Sequence, residues 1–99
     1  MEVVNIYMKI NDKMDLERLA KKLEESYTKH DRIRYVLDTC GSGFSRGAMD
    51  RLKKVFDKFQ AQADIKLYET CIVVDGEIKR MAIKSYVKLF NSKGNVRVI

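Results

Sequence analysis

Several residue types are rare or missing in this 99-residue chain, which has no proline, one histidine and two cysteines. No proline-rich, repeated or low-complexity stretch forms a linker, so the sequence predicts one small domain over residues 1–99. Cys40 and Cys71 are too few for a disulfide framework, and we expect reduced thiols in an intracellular protein. One histidine and no closely spaced cysteine pair argue against a zinc site, so we expect neither metal nor cofactor.

Long apolar runs are also missing. No segment reaches the roughly 20 apolar residues of a membrane span. Residues 1–10 carry Glu2, Asn5 and Lys9 among their apolar residues, which is unlike a signal peptide. The hydrophobic fraction of 45% is nevertheless that of a folded globular domain. The sequence therefore predicts a cytoplasmic protein that makes no contact with membranes.

Acidic residues are absent from the last quarter of the chain. Residues 1–77 hold 14 acidic and 14 basic side chains, so the whole net charge of +6 belongs to residues 78–99. Three of the basic residues there recur at four-residue steps on a predicted helix, namely Arg80, Lys84 and Lys88. This basic ridge is either a face for an acidic protein partner or a polyanion, or a plain solvated face.

Apolar residues recur at strand and helix periods along the whole chain. Short apolar runs indicate strands at residues 3–10, 33–37, 71–74 (or from residue 67) and 96–99. Amphipathic stretches indicate helices from residue 16 to about 30, over 46–59 and over 77–90, with residues 60–66 as a polar connection. This β-α-β-α-β-α-β order predicts an α/β domain with a mainly parallel four-stranded sheet and three helices.

The apolar pattern also predicts which faces are buried. Residues 3–10 have apolar side chains on both faces, which is typical of an inner strand. The inner side of the third helix is expected to carry Ile78, Met81, Ala82, Tyr86, Leu89 and Phe90. We expect the tyrosines in the core or at its edge, because the sequence does not interleave them with basic residues as a nucleic-acid platform would. They are Tyr7, Tyr27, Tyr35, Tyr68 and Tyr86.

Polar residues follow each of the first three strands. Because the carboxyl ends of parallel strands meet at one edge of a sheet, these loops should converge there. The expected group is Asn11 and Asp12, residues 38–45, and Asp75 with Gly76. The same topology makes this edge the place for a binding or catalytic site.

The loop after the second strand carries the spacing C-x5-R. Cys40-Gly-Ser-Gly-Phe-Ser-Arg46 resembles the phosphate-binding loop of cysteine-dependent phosphatases and of rhodanese-like arsenate reductases. The resemblance implies Cys40 as a nucleophile of lowered pKa, Arg46 as phosphate clamp and Asp75 or Asp38 as general acid. The implied anion-binding residues are Gly41, Ser42, Gly43, Phe44 and Ser45. Alternatively the spacing is a coincidence, with Cys40 a half-buried strand-end residue and Arg46 a solvated side chain.

A broader resemblance covers most of the chain. The stretch YVLDTCGSGFSRGAMDRLKKVF resembles the middle of STAS domains (the anti-sigma-factor-antagonist fold), where a V-L-D strand leads through a Ser/Gly loop into a helix. Residues 67–99 are similar to the closing strand-helix-strand of the SpoIIAA-like branch, a pattern shared with small proteins of large DNA viruses. The resemblance implies a small regulatory or scaffolding module that acts through partners, in the cytoplasm or in association with a virion.

The family's Asp-Ser-Ser-Gly phosphorylation switch is absent, and Ser42 and Ser45 occupy the corresponding positions in the loop. Three functions remain open, and the third of them is a basic accessory protein that binds anions. The leading hypothesis is a non-enzymatic STAS-like module that binds a macromolecular partner, first of all a protein. The alternative is a cysteine-dependent phosphatase, or a related rhodanese-like enzyme, that uses Cys40 and Arg46.

Overall fold

The computed structural model of this chain describes residues 2–41, 43–89 and 96–99, without the side chains of Lys88 and Leu89. The four strands are β1 (Val4–Lys9), β2 (Ile33–Asp38), β3 (Leu67–Val73) and β4 (Val96–Val98). The helices are α1 (Leu16–Lys29), α2 (Arg46–Asp57), α3 (Gln60–Lys66) and α4 (Glu77–Leu89). Apart from the additional helix α3, this is the predicted succession of elements.

The strands form one parallel sheet in chain order, β1-β2-β3-β4. The register places Tyr7 beside Val36, Val36 beside Cys71, and Cys71 beside Arg97. The predicted parallel four-stranded sheet is therefore confirmed. The longer version of the third strand, beginning at Leu67, is the correct one.

One face of the sheet carries the core. Alternate residues of β1, β2 and β3 are buried against apolar side chains of α1, α2 and α4 in a single cluster. The strand residues of this face that are buried are Met8, Ile33, Tyr35, Leu37, Thr70 and Ile72. The opposite face has no helix of the described chain packed against it, and its side chains are mostly exposed or half-buried, apart from Cys71.

Tyr35 lies at the centre of the core and is fully buried. Its ring meets those of Tyr27 from α1 and Phe56 from α2 edge-on, with centroids 5.7 and 5.6 Å away. Its hydroxyl lies 2.6 Å from Oγ of Ser26, so the one polar atom of the side chain has a partner inside the core. Burial raises the pKa of Tyr35 above its ordinary value. This aromatic group joins α1 and α2 to the middle of the sheet.

Helix boundaries follow from local hydrogen bonding. Asp15 begins α1, because its Oδ1 accepts from the backbone N–H groups of Glu17 and Arg18 at 3.1 and 3.2 Å. Ser45 begins α2 in the same way, with Oγ accepting from Ala48 N at 3.2 Å.

Residues 60–66 were expected to be a polar connection, and that expectation was wrong. They form α3, in which Gln60 Nε2 donates to Asp64 Oδ1 at 2.7 Å. No residue of this helix is buried, and Ile65 is 81% exposed. A helix without a buried apolar face leaves no periodic signal in the sequence.

The first strand is at the edge of the sheet, not inside it. Apolar residues on both faces of this strand predict that both faces are buried, but Tyr7 is 65% exposed. The reason is that no helix among the described residues covers the face opposite the core. An apolar side chain there does not indicate a second packing layer.

The rotation of α4 also differs from the expectation. Ile78 is 88% exposed and Met81 66% exposed, and Ala82 is exposed as well, whereas Ile83 and Tyr86 are buried. Of the remaining residues expected on the inner side, Phe90 and the side chain of Leu89 lie outside the described part of the chain. The helix contains two apolar stripes, and the buried one lies on the same side as a contact of the first turn.

Lys79 supplies that contact. Its Nζ donates to the carbonyl oxygen of Thr39 at 2.8 Å and pairs with Asp75 Oδ1 at 2.8 Å, so this side of the helix faces the ends of β2 and β3. Ile83 and Tyr86 follow Lys79 at helical spacing and are therefore turned inward too.

Two isoleucines on α4 test this rotation. We expect Ile83→Ala to lower the free energy of unfolding by about 2–5 kcal/mol, because it leaves a cavity in the core. Ile78→Ala should change it by less than about 0.5 kcal/mol, because the side chain is already in water. Both replacements alter helix propensity equally, so urea denaturation of the two variants isolates burial. Equal losses would contradict the described rotation.

Candidate functional site at the carboxyl edge of the sheet

The loops after β1 and β2 are joined through Asp12. The carboxylate Oδ1 accepts from Ser45 N at 2.7 Å, and the backbone N–H of Asp12 donates to the Gly43 carbonyl at 2.9 Å. A Cβ at position 43 would lie only 2.8 Å from Asp12 Oδ2, so a larger residue there would require this carboxylate to shift. Hydrogen bonds from Ser45 hold the pKa of Asp12 below its ordinary value.

The loop after β3 joins the same group through Asp75. Asp75 Oδ2 accepts from Gly41 N at 3.0 Å, and its Oδ1 is bound by Lys79. Gly41 has a φ of 73°, a left-handed conformation that favours glycine. The bonds from Lys79 and Gly41 lower the pKa of Asp75 to about 2. The predicted convergence of the three loops is thus confirmed.

Cys40 lies at the end of β2, half-buried. Its backbone N–H donates to Asp38 Oδ1 at 2.8 Å, and its carbonyl accepts from Lys9 Nζ, which also pairs with Asp38 Oδ2 at 3.6 Å. Partial burial, followed by the neighbouring Asp38 and Asp75 carboxylates, raises the pKa of the Cys40 thiol. A nucleophilic cysteine needs the opposite shift.

Arg46 is the first residue of α2 and is exposed. Its positive charge acts on Tyr86, whose hydroxyl donates to Asp50 Oδ1. Burial, more than the Asp50 hydrogen bond, raises the pKa of Tyr86 to about 12. Of the other implied loop residues, Phe44 is half-buried against the core, Gly43 and Ser45 bind Asp12, and Ser42 lies outside the described residues.

Three amides of the β2–α2 loop already have carboxylate partners. The N–H groups of Cys40, Gly41 and Ser45 donate to Asp38, Asp75 and Asp12 respectively. An incoming phosphate would have to displace a carboxylate from each of these amides. The carboxylates of Asp12, Asp38 and Asp75 thus hold the described part of the loop in its conformation. The catalytic roles of Cys40, Arg46 and Asp75 stay a prediction.

The basic ridge predicted on α4 is partly described. The Arg80 side chain is 33% exposed with Nε 3.9 Å from Glu77 Oε1, and Lys84 is exposed. The Lys88 side chain lies outside the described residues. Beside this ridge runs the exposed apolar stripe, which we define as Ile78, Met81 and Ala82.

Sequence reasoning missed this stripe, because the same residues were assigned to the core. It also missed Lys9 and Lys79 as partners of the loop carbonyls. The spacing of Asp75 and Lys79, four residues apart at a helix start, was an available signal for the second.

Among the described residues, no three His, Cys, Asp or Glu side chains are grouped as they would be to hold a metal ion. None of the described helices has the length and apolar character required to cross a membrane.

Comparisons with protein-family models, with curated proteins and with solved structures found no match to this chain. Its function is therefore inferred from the chemistry of its own residues.

Alkylation of Cys40 tests the electrostatics of the loop. We expect the pH midpoint of the reaction to lie above the ordinary thiol value of about 8.5, because partial burial and the Asp38 carboxylate oppose ionisation. Asp38→Asn should lower the midpoint by removing the nearest negative charge. Cys71 is 2% exposed and should react slowly, so mass spectrometry of the first label reports Cys40. A midpoint well below the ordinary value would instead support the phosphatase alternative.

Acid should weaken the fold through Asp75. The pKa of Asp75 is lower in the folded protein, about 2 against an ordinary 3.8, so its stabilising effect is present above pH 3.8 and is lost as pH falls toward 2. We expect Asp75→Asn to reduce the free energy of unfolding near pH 6, with the difference from wild type shrinking between pH 4 and pH 2. Denaturation at several pH values measures it. Asp31→Asn, at an exposed position before β2, is the charge-matched control, and a pH-independent Asp75 difference would contradict the assignment.

Proposed function

We propose that this protein is a non-enzymatic, STAS-like α/β module that binds an acidic protein through the exposed stripe of α4 and the adjoining β2–α2 loop. The observation that carries the proposal is the exposure of Ile78 and Met81, at 88% and 66%, on one side of a helix. Neighbouring apolar side chains left in water on one helix face are typical of a surface that is covered in a complex.

The positive charge beside the stripe indicates that the partner's surface should be negatively charged. Lys84 follows Met81 by three residues and Arg80 by four, so basic side chains border the apolar ones. Glu77 is the acidic residue of this helix, and no other occurs after it in the chain. An acidic surface would therefore be attracted to this helix, and its apolar centre would cover the stripe.

The stripe also adjoins the β2–α2 loop. Helix α4 begins directly after Asp75 and Gly76, and Lys79 ties its first turn to the Thr39 carbonyl. A partner seated on the first turns of α4 would thus lie next to the loop that contains Ser42 and Ser45, the positional candidates for the serines of the family's switch. Ser45 is exposed there, at the start of α2.

The carboxylate contacts of the loop favour this function over the phosphatase. A thiol of raised pKa, beside amides that bind aspartates, is a poor nucleophile and a poor anion site. The sequential parallel sheet and the strand-loop-helix passage at residues 33–57 agree with the architecture that the STAS resemblance implies. They support the proposal without identifying the family.

A photo-crosslinking amino acid at position 81 tests the proposal. In extracts of the producing cell, we expect one discrete protein adduct, because the side chain at 81 would lie inside the interface. Unlabelled wild-type protein in excess should abolish the adduct. The Ile78→Asp/Met81→Asp double variant should not compete, because its carboxylates oppose both burial and an acidic partner.

Position 65 provides the matched control. Ile65 is also apolar and 81% exposed, but it lies on α3, so a crosslinker there should not give the same adduct. Competition by the double variant as strong as by wild type would contradict the stripe as the interface. Hydrolysis of an aryl phosphate that disappears in Cys40→Ser would replace this proposal by the enzymatic alternative.

A further inference from the structure

The face of the sheet opposite the helices carries aromatic and basic side chains from all four strands. We call it the open face. The described members that carry the argument are Tyr7, Lys9, Arg34, Tyr68, Glu69 and Arg97. Tyr7 and Tyr68 are its large exposed side chains, at 65% and 41%. Two exposed aromatic rings therefore lie on a face against which no helix of the described residues packs.

A bulge in β3 determines the position of the Tyr68 ring. Ile33 pairs with Leu67 but Arg34 pairs with Glu69, so Tyr68 is an extra residue between the two pairs. Without the bulge, strict alternation would turn Tyr68 and Glu69 to opposite faces. With it, the Tyr68 ring lies 5.2 Å from the guanidinium carbons of both Arg32 and Arg34. The ring and two cations therefore form one group.

Glu69 holds two arginines of this face, Arg34 and Arg97, in position. It accepts from Arg34 Nε at 2.6 Å and from Arg97 Nη2 at 3.2 Å, while Arg34 Nη1 donates to Asn5 Oδ1 at 3.1 Å. Hydrogen bonding to Arg34 lowers the pKa of Glu69, which keeps it ionised. Arg97 remains 59% exposed. The guanidinium groups are thus fixed in position before any ligand arrives.

Positive charge exceeds negative charge on this face. The cations are Lys9, Arg34 and Arg97, with Arg32 over the Tyr68 ring, and the carboxylates are Asp38 and Glu69. Asp38 is paired with Lys9 at the carboxyl end, away from Tyr68. The amino end therefore offers the strongest attraction for an anionic chain.

We propose that the open face binds single-stranded nucleic acid, with one base stacking on Tyr7, another against the Tyr68 ring with its arginines, and phosphates meeting Arg32 and Arg97. Strand spacing places the two tyrosines roughly 13 Å apart, two strands across and about three residues along. A few nucleotides of an extended strand cover that distance. Aromatic rings with arginines beside them are the pattern that holds unpaired bases, since every base has a face to stack.

A protein occupant fits this face less well. The aliphatic side chains Val36 and Val73 are only half-exposed, and the centre is filled by the Arg34–Glu69–Arg97 group rather than by an apolar patch. A duplex also fits poorly, because its bases are already stacked and cannot reach the tyrosine rings. Unpaired RNA and unpaired DNA share the chemistry that this face would recognise.

Fluorescence anisotropy with labelled 12-nucleotide oligo(U) and oligo(dT) tests the proposal on the full chain. Tyr7→Ala and Tyr68→Ala should each weaken binding by about 5- to 150-fold through loss of one stacked base. Tyr7→Phe and Tyr68→Phe should bind like wild type, because the ring is kept. Arg32→Gln and Arg97→Gln should each reduce the slope of log K against log salt by about 0.7.

Matched controls lie on the helical side of the molecule. Lys21 and Ile65 are exposed on α1 and α3, so Lys21→Gln and Ile65→Ala should leave the stacking contribution unchanged. The Ile78→Asp/Met81→Asp double variant should still bind the oligonucleotide through its tyrosines. Retention of binding in that variant separates this site from the α4 interface.

Three results would overturn the proposal. They are wild-type affinity in both alanine variants, equal binding of a 12-base-pair duplex, and no binding of either oligonucleotide in 20 mM salt while an acidic polypeptide does bind. Should an alanine variant fail to fold, photolysis of wild type with bromouridine-substituted oligo(U) decides the question. Adducts on peptides containing Tyr7 or Tyr68 support the site, and adducts confined to α4 overturn it.

Discussion

One-sided packing of the sheet is the constraint on which the rest of the molecule depends. The strands are parallel and in chain order, and the core lies on one face, where Tyr35 meets side chains of α1 and α2. Because the core formed by the described residues is on one side of the sheet, the protein presents two different surfaces. One is the edge where the loops and α4 meet, and the other is the open face.

The two surfaces differ in how their charges are used. At the carboxyl edge, Asp12, Asp38 and Asp75 bind backbone amides of the β2–α2 loop, so charge there fixes the conformation of the protein itself. On the open face, Glu69 holds Arg34 and Arg97 in place while leaving Arg97 largely in water. Acidic residues thus occupy backbone amides that could bind an anion at the carboxyl edge, whereas on the open face an acidic residue holds arginines in position to bind one.

Much of the fold could be predicted from the sequence, because apolar period and turn residues report the local structure directly. The four strands, the three longer helices and the meeting of their loops follow from such local signals. The rotation of α4 could not be predicted, since the helix has two apolar stripes and the buried one lies on the side of Lys79, which bonds Thr39, 40 residues away. Helix α3 was missed because none of its residues is buried.

The candidate sites show the same division. The convergence of Asp12, Cys40 and Asp75 follows from topology, but the direction of the Cys40 pKa depends on which loop carboxylates lie beside the thiol. The tyrosines and arginines of the open face are far apart in sequence and become neighbours only through strand register and a bulge. Residues that are neighbours only across strands leave no recognisable spacing within a single segment of the sequence.

The short last strand has a consequence for Cys71. Arg97 Nη2 lies 3.4 Å from the Cys71 sulfur, and β4 comprises only three residues, followed by Ile99, whose N–H donates to the Ile72 carbonyl. Local opening of this strand would uncover the thiol while the remaining core stays folded. The rate at which Cys71 becomes reactive therefore measures how often β4 detaches from the sheet, separately from the global unfolding of the domain.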